Sequence, residues 1–483
     1  MSSLPIDFAL FALTLLGVAL FHRRTLEIAV TGLGAITLYK LAFGSFGGVV
    51  GLNGLTRHLA HEWVIVTNLG CLLLGFALLS RHFEKSHVPL ALPHVLPDDW
   101  KGTFFLLAIV FVLSSFLDNI AGAMIGGAMA HSLFRRVHLG YLAAIVAAAN
   151  AGGAGSVVGD TTTTMMWIDG VAPLDVLHAY VGAGAALLVC GLPAAFQQQG
   201  YSPIVKDVKH RPKIDGVRVG IVLAILVAAI GANVIVNVRF PAHADGFPFI
   251  GVAVWVVILL SVPIRRPDWE LLGEASRGAA FLLSLVLAAS MMPVEQLPPP
   301  SWQTAFGLGF VSAIFDNIPL TKLALEQGGY DWGVLAYCVG FGGSMIWFGS
   351  SAGVAISNLY PHARSVGAWI RHGWHVPVAY VVGFAVMLVL LGWHPHAPHR
   401  TASLGSPSCP SVCGAGDPDF HMLIRASVAR RCRLIPSSSP AAPRAEYPRS
   451  NSNADRSTRG PAQRDGIPCL VGVVATRQEW TAA

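Results

Sequence analysis

Two aspartates stand in segments that otherwise carry no charge. Asp118 follows sixteen uncharged residues and leads into Asn119, and Asp316 leads into Asn317 within "SAIFDNIPLT". A third carboxylate, Asp160, closes "NAGGAGSVVGD" and is followed by Thr161, Thr162, Thr163 and Thr164, with Asn150 and Ser156 upstream. An ionised carboxylate in an apolar environment costs several kcal/mol or more unless something neutralises it. With little water around it, it can be neutralised by a proton or by a metal cation, and the two compete. Asn, Ser and Thr oxygens beside unwound backbone carbonyls are hard ligands suited to a cation such as sodium. Asp or Asn at a helix start can also simply cap the free N–H groups, but a neutral Asn or Ser would do that at lower desolvation cost. The candidate ion- or substrate-binding residues are therefore Asp118, Asn119, Asn150, Ser156, Asp160, Thr161, Thr162, Asp316, Asn317 and Ser350. The segment that holds Ser350 also offers Ser344 and Ser351.

The segments that must hold these residues are apolar. Of 483 residues, 54% are hydrophobic and 12% charged, against about 25% charged in an ordinary soluble domain. This composition indicates a membrane protein, and the fold class expected is an all-α polytopic one. Ordinary crossings of about 20 residues are expected near residues 5–21, 26–43, 63–79, 174–196, 217–238, 247–264, 275–292 and 375–393. The apolar run at 5–21 is followed by Arg23 and Arg24 rather than preceded by charge, so it reads as a first span and not a secretory signal.

Four segments do not fit one crossing. Residues 102–134 are too long for one pass and too short for two, and residues 303–327 are interrupted by Pro319; both read as re-entrant hairpins with Asp118 and Asp316 at their tips. Residues 139–168 and 333–359 carry glycine clusters and read as broken helices, tolerated in a membrane only where protein or a water cavity satisfies the freed backbone. Ser114, Asp118, Asn119 and Ile120 recur as Ser312, Asp316, Asn317 and Ile318 at one offset of 198, and Gly152, Gly153 and Gly159 recur as Gly342, Gly343 and Gly349 at 190. Distributing Lys and Arg by the positive-inside rule gives the two halves opposite directions through the bilayer. That predicts inverted repeats at 1–197 and 217–394, joined by a cytoplasmic linker at 198–216, with sites between them near the bilayer midplane.

Residues 395–483 differ in kind. The end of the chain is rich in Pro, Ser and Arg with no apolar period, which predicts a disordered tail. Without the residues from 394 on, the formal net charge falls from +6 to +1, so the body offers no basic surface for nucleic acid. Four of the seven cysteines lie in this tail, and no spacing resembles a zinc site or disulfide framework. Lys322, six residues past Asp316, could neutralise Asp316, bind an anion, or reach the surface. His131 and His178 read as solvated histidines near span ends, and Met165, Met166 and Trp167 as packing residues with an interfacial anchor.

The elements "SSFLDNIAGAMIGG", "AAANAGGAGSVVGDTTTTMMWI", "SAIFDNIPLT" and "GSSAGVAISN" resemble the ion transporter superfamily, and within it the bacterial sodium/proton antiporters and the neighbouring citrate-transporter-like proteins. The likeness covers roughly residues 1–394. It implies a homodimer in the bacterial inner membrane, elevator-like movement of a transport part against a scaffold, ion binding at the residues matched above, and no cofactor beyond the transported sodium or protons. Citrate carriers carry Ser-Asn-Thr at their tips where this chain has Asp-Asn-Ile twice, which favours a cation over a small carboxylate. Gly155 and Val157 depart from the antiporter pattern, so transport of citrate, a dicarboxylate or another anion stays open. An intramembrane aspartyl protease would need Gly-x-Gly-Asp, and Val157-Val158-Gly159-Asp160 lacks the first glycine; no other enzyme motif is present, so no enzyme is expected. Paired hairpins suit alternating access better than a channel.

Overall fold

A computed structural model describes residues 6–21, 24–92, 96–156, 158–205, 213–240, 243 and 246–396. The chain divides into units Met1–Ser408 and Cys409–Ala483, and the second lies wholly outside the described residues, as does all but the first two residues of the expected tail. Among the described residues the secondary structure is helical, with two isolated β-bridges and no strand.

The first half runs α1 (Ile6–Leu20), α2 (Thr25–Phe43), α3 (Gly51–Glu84), α4 (Val88–Ala91), α5 (Trp100–Ser114), α6 (Asn119–Leu133), α7 (Leu139–Ala154), α8 (Thr161–Ile168), α9 (Pro173–Leu177) and α10 (Ala179–Tyr201). The second half runs α11 (Gly216–Arg239), α12 (Phe249–Ser261), α13 (Leu271–Ser290), α14 (Trp302–Ser312), α15 (Asn317–Gln327), α16 (Trp332–Gly342), α17 (Ser351–Leu359), α18 (Val366–His372) and α19 (His375–Leu390). Among the described residues five helical stretches are long and apolar enough to cross a membrane, six if α18 and α19, bent by 61°, form one span. Leu13, Leu38, Leu260 and Val389 are among the large apolar side chains pointing outward, a surface that suits lipid and not water. The chain is an integral, multi-pass membrane protein.

Each of the four segments set apart by sequence contains a helix break. The 102–134 segment breaks between α5 and α6, 303–327 between α14 and α15, 139–168 between α7 and α8, and 333–359 between α16 and α17. The breaks have local causes. Asp118 and Asp316 are N-caps whose carboxylates accept the N–H of Ile120 and Ile318 (3.4 and 3.1 Å), and Asp160 and Ser350 cap α8 and α17 in the same way. Gly122 lies against Ser114 and Gly126 against Val110, so α5 and α6 run antiparallel in close contact.

Two helices form the centre. Every residue of α7 and of α16 is buried, as expected of helices apolar on all sides. Their small residues let neighbouring backbones approach, which is how helices associate tightly in a membrane. Gly152 faces the backbone of Phe111 on α5, and Gly342 faces the backbone of Gly309 on α14. Phe111 and Gly309 differ by the 198 offset and the two glycines by 190, so the sequence repeat is also a repeat of contacts.

One expected span was too short. The third was placed at 63–79, but α3 extends from Gly51 to Glu84, which carries Glu62 into the protein. Glu62 is 2% exposed.

Candidate functional site

The four helix starts at Asp118, Asp160, Asp316 and Ser350 converge with the last turn of α7. Asn150 sits at the centre and is fully buried. Its Oδ1 accepts from Asn119 Nδ2 (3.2 Å), while its Nδ2 donates to Ser344 Oγ (2.9 Å) and Ser350 Oγ (3.1 Å). One amide thus ties a tip of the first half to the broken helix of the second. The reciprocal tie runs the other way, with Asn317 Nδ2 donating to Asp160 Oδ2 (3.3 Å).

Asp160 has few alternatives to these partners. It is 2% exposed, its Oδ1 accepts the N–H of Thr162 (3.2 Å), and both Asp118 and Asp316 lie close enough to act on it electrostatically. Three carboxylates of one sign grouped around buried amides repel one another unless a cation or protons intervene. Asp316 keeps one neutral partner besides its capped N–H, since Ser351 Oγ donates to its Oδ2 (3.2 Å).

Each half opens onto a cavity. Asp118, Asp160 and Thr161 line one of about 20 Å³, walled by Leu69, Leu72 and Phe76 of α3, which is room for a single water. Asp316, Ser350 and Ser351 line another of about 170 Å³, walled by Leu15 of α1 and Phe281 and Leu285 of α13. The lining residues correspond: Asp118 to Asp316 at the 198 offset, Asp160 and Thr161 to Ser350 and Ser351 at 190. The larger cavity shares Val354 with a third of about 580 Å³ that reaches Arg24, Asn358 and Arg364.

The structure therefore brings together Asp118, Asn119, Asn150, Asp160, Thr161, Thr162, Asp316, Asn317 and Ser350. Ser156 stands apart in role. Its hydroxyl donates to Ser115 O (2.6 Å) and accepts from the N–H groups of Val158 and Gly159, fixing the unwound segment and not lining either cavity. His131 and His178 are exposed, and Met165 and Met166 are packed in the core, as sequence suggested; Trp167, expected as an interfacial anchor, is instead buried in the same core.

Lys322 corrects an expectation. It neither reaches the surface nor meets Asp316, but is 1% exposed with Nζ 3.0 Å from Glu62 Oε2 and 2.6 Å from Glu326 Oε1. Glu62 was missed because the third span was started one residue after it. The one signal available was an acid directly abutting the apolar run of residues 63–79.

The sequence is similar to curated proteins over 52–61% of its length. The chain is similar to Sodium/proton antiporter 1 of Arabidopsis thaliana, 28% identical over 341 residues that are 61% of this chain and 57% of that protein. Sodium/proton antiporter 2 of the same plant is 27% identical over 52% of this chain and 67% of its own length. The Na(+)/H(+) antiporter NhaD of Vibrio parahaemolyticus is 25% identical over 60% of this chain and 81% of its own length. The chain resembles sodium/proton antiporters. The match with the first Arabidopsis antiporter spans little more than half of that protein's length. No family model matches the chain.

Proposed function

We propose that the protein is a secondary transporter that exchanges sodium, or another small monovalent cation, for protons at a cluster of carboxylates near the bilayer midplane. The observation that carries this reading is the meeting of Asp118, Asp160 and Asp316 around Asn150 and Asn317, with a cavity at each pair of matched helix starts. The similarity to antiporters supports the same class of cargo.

In this reading the two hairpins are re-entrant and the halves are inverted repeats. The packing supports it: α6 of the first half lies beside α17 of the second, and α15 of the second beside α8 of the first. Equivalent helices thus leave the cluster toward opposite ends. Exchange follows from competition. Asp160, with Asp118 beside it and the Asn317 amide on its Oδ2, holds either a cation or protons, and loading one displaces the other. Alternating access then carries the occupied cluster from one face to the other.

Everted vesicles holding an imposed pH gradient test the proposal. Sodium or lithium is expected to dissipate the gradient, and Asp160→Asn to abolish the response. Asparagine keeps its Oδ1 as acceptor for the N–H of Thr162, and its NH2 can donate to Asn317 once that amide turns over, so the variant should fold while lacking the charge. Accumulation of labelled citrate with no cation response would overturn the cation reading.

A further inference from the structure

The Lys322, Glu62 and Glu326 group belongs to neither cavity, and nothing in the exchange chemistry uses it. It joins α15 to α3. Lys322 Nζ is 3.0 Å from Glu62 and 2.6 Å from Glu326, and the side chains of Lys322 and Glu62 are each 2% exposed. Asp169, just past the end of α8, also acts on Lys322. From α3 itself, His58 and His61 face Glu62, and His58 is held by Ser290 Oγ of α13 at 2.9 Å. These are the charged and titratable groups around the pair.

Its position differs from anything in the other half. At the 198 offset, Met124 and Ala128 stand where the second half has Lys322 and Glu326. The two ends of the molecule differ accordingly. Toward the α6 and α17 end, the Asp316 cavity continues past Val354 into the wide cavity at Arg24 and Arg364. Toward the α8 and α15 end, charged side chains fill the space between α3 and α15. By the distribution of Lys and Arg this is the outer end.

We propose that the Glu62–Lys322 ion pair is a charge latch that shuts the outer end of the protein, and that opening this end requires Glu62 to take up a proton from the outer solution. The inference rests on the alternating-access reading above. Lys322 has a second carboxylate, Glu326, on its own helix, so α15 can withdraw with its charge still compensated. On α3 Glu62 has no fixed cation, only the imidazoles of His58 and His61. Left as a buried carboxylate it would carry a charge with no fixed counterpart, and breaking a buried pair on one side is strongly unfavourable. Addition of one proton to the Glu62 carboxylate gives a neutral acid and removes that obstacle. The latch thereby makes outward opening sensitive to outer pH.

The test uses the full chain in right-side-out vesicles, with its seven cysteines replaced by alanine and Ile318→Cys added. Ile318 is buried one turn from Lys322 on the same face of α15, toward the cluster. A membrane-impermeant, charged thiol reagent is applied from outside. With native Glu62, labelling is expected to be slow at neutral pH and to accelerate as the outer pH falls. Glu62→Gln is expected to label at least about tenfold faster and independently of pH. Lys322→Met alone strands Glu62 and can fail to fold, so Glu62→Gln with Lys322→Met serves as the second variant, with the same fast, pH-independent labelling expected. Labelling of folded Glu62→Gln and of the double variant as slow as the parent at every pH would overturn the latch. The readout needs no transport: fast labelling without any sodium response defeats the antiporter reading alone, and intact exchange with unchanged labelling defeats the latch alone.

Discussion

At the scale of single residues, the cluster is held together by amides rather than by charges. Asn150 satisfies Asn119, Ser344 and Ser350 at once, so removing its side-chain polarity leaves several buried groups without partners. Asn150→Leu is expected to destabilise the protein by about 1–3 kcal/mol for the orphaned Asn119 amide alone, read as a lowered midpoint of thermal unfolding in detergent. Asp160→Asn should leave that midpoint closer to the parent's, because its Oδ1 still accepts from Thr162 and its NH2 can donate to a turned Asn317 amide, and should act on exchange instead. The pair of variants separates holding the site together from using it. Asp118, Asn119, Asp160, Asp316 and Asn317 were legible in the sequence because a carboxylate among apolar residues is conspicuous. The role of Ser156 was not, since a serine beside glycines reads equally as a ligand or as a strut. Glu62 was hidden for a different reason: its burial depends on where α3 begins, and hydropathy sees only the apolar part of a helix whose first turns are polar and mostly exposed, with Glu62 turned inward.

At the scale of elements, the close approach of helices decides where the breaks sit. A Cβ at position 152 would meet the Phe111 carbonyl, whereas one at position 184 in α10 would meet nothing within 4 Å. Gly152→Ala is expected to push α5 away and cost about 1–3 kcal/mol as overpacking does, with loss of exchange in vesicles. Gly184→Ala should be neutral or stabilise by up to about 1 kcal/mol through its helix preference. Thermal unfolding of the two variants in parallel checks the contrast. The four interruptions were legible from Gly clusters, Pro319 and length. Lengths of individual spans were less so: α5, α7 and α16 have 15, 16 and 11 residues, and the pairing of α6 with α17 and α15 with α8 is a matter of tertiary packing that no local pattern records.

At the scale of the whole molecule, the end opposite the latch is tied by exposed ion pairs. Asp268 binds Lys85 (2.6 Å) and Arg81 (2.9 Å), and Arg265 reaches Asp215 (3.1 Å). The hydrogen bonds from Lys85 and Arg81 hold the Asp268 carboxyl down at about 2, below the ordinary value of about 3.9. A depressed carboxyl stabilises the fold above its unfolded value and loses that contribution as pH falls toward the folded one. The difference in unfolding midpoint between the parent and Asp268→Asn is therefore expected to persist from pH 7 to about 4, to vanish toward pH 2, and to shrink in high salt, where exposed pairs are screened.

The small cavity at Asp118, Asp160 and Thr161 has a consequence for selectivity. Its volume of about 20 Å³ admits one water, so a cation seated there has shed nearly all of its hydration shell. The oxygens of Asp118, Asp160 and Thr161 must then replace that shell almost atom for atom. Discrimination between lithium, sodium and potassium would be set there by how the loss of hydration compares with what these few oxygens return, and enlarging the wall with Leu72→Ala, which readmits water, is expected to narrow the difference between the three ions in the vesicle assay.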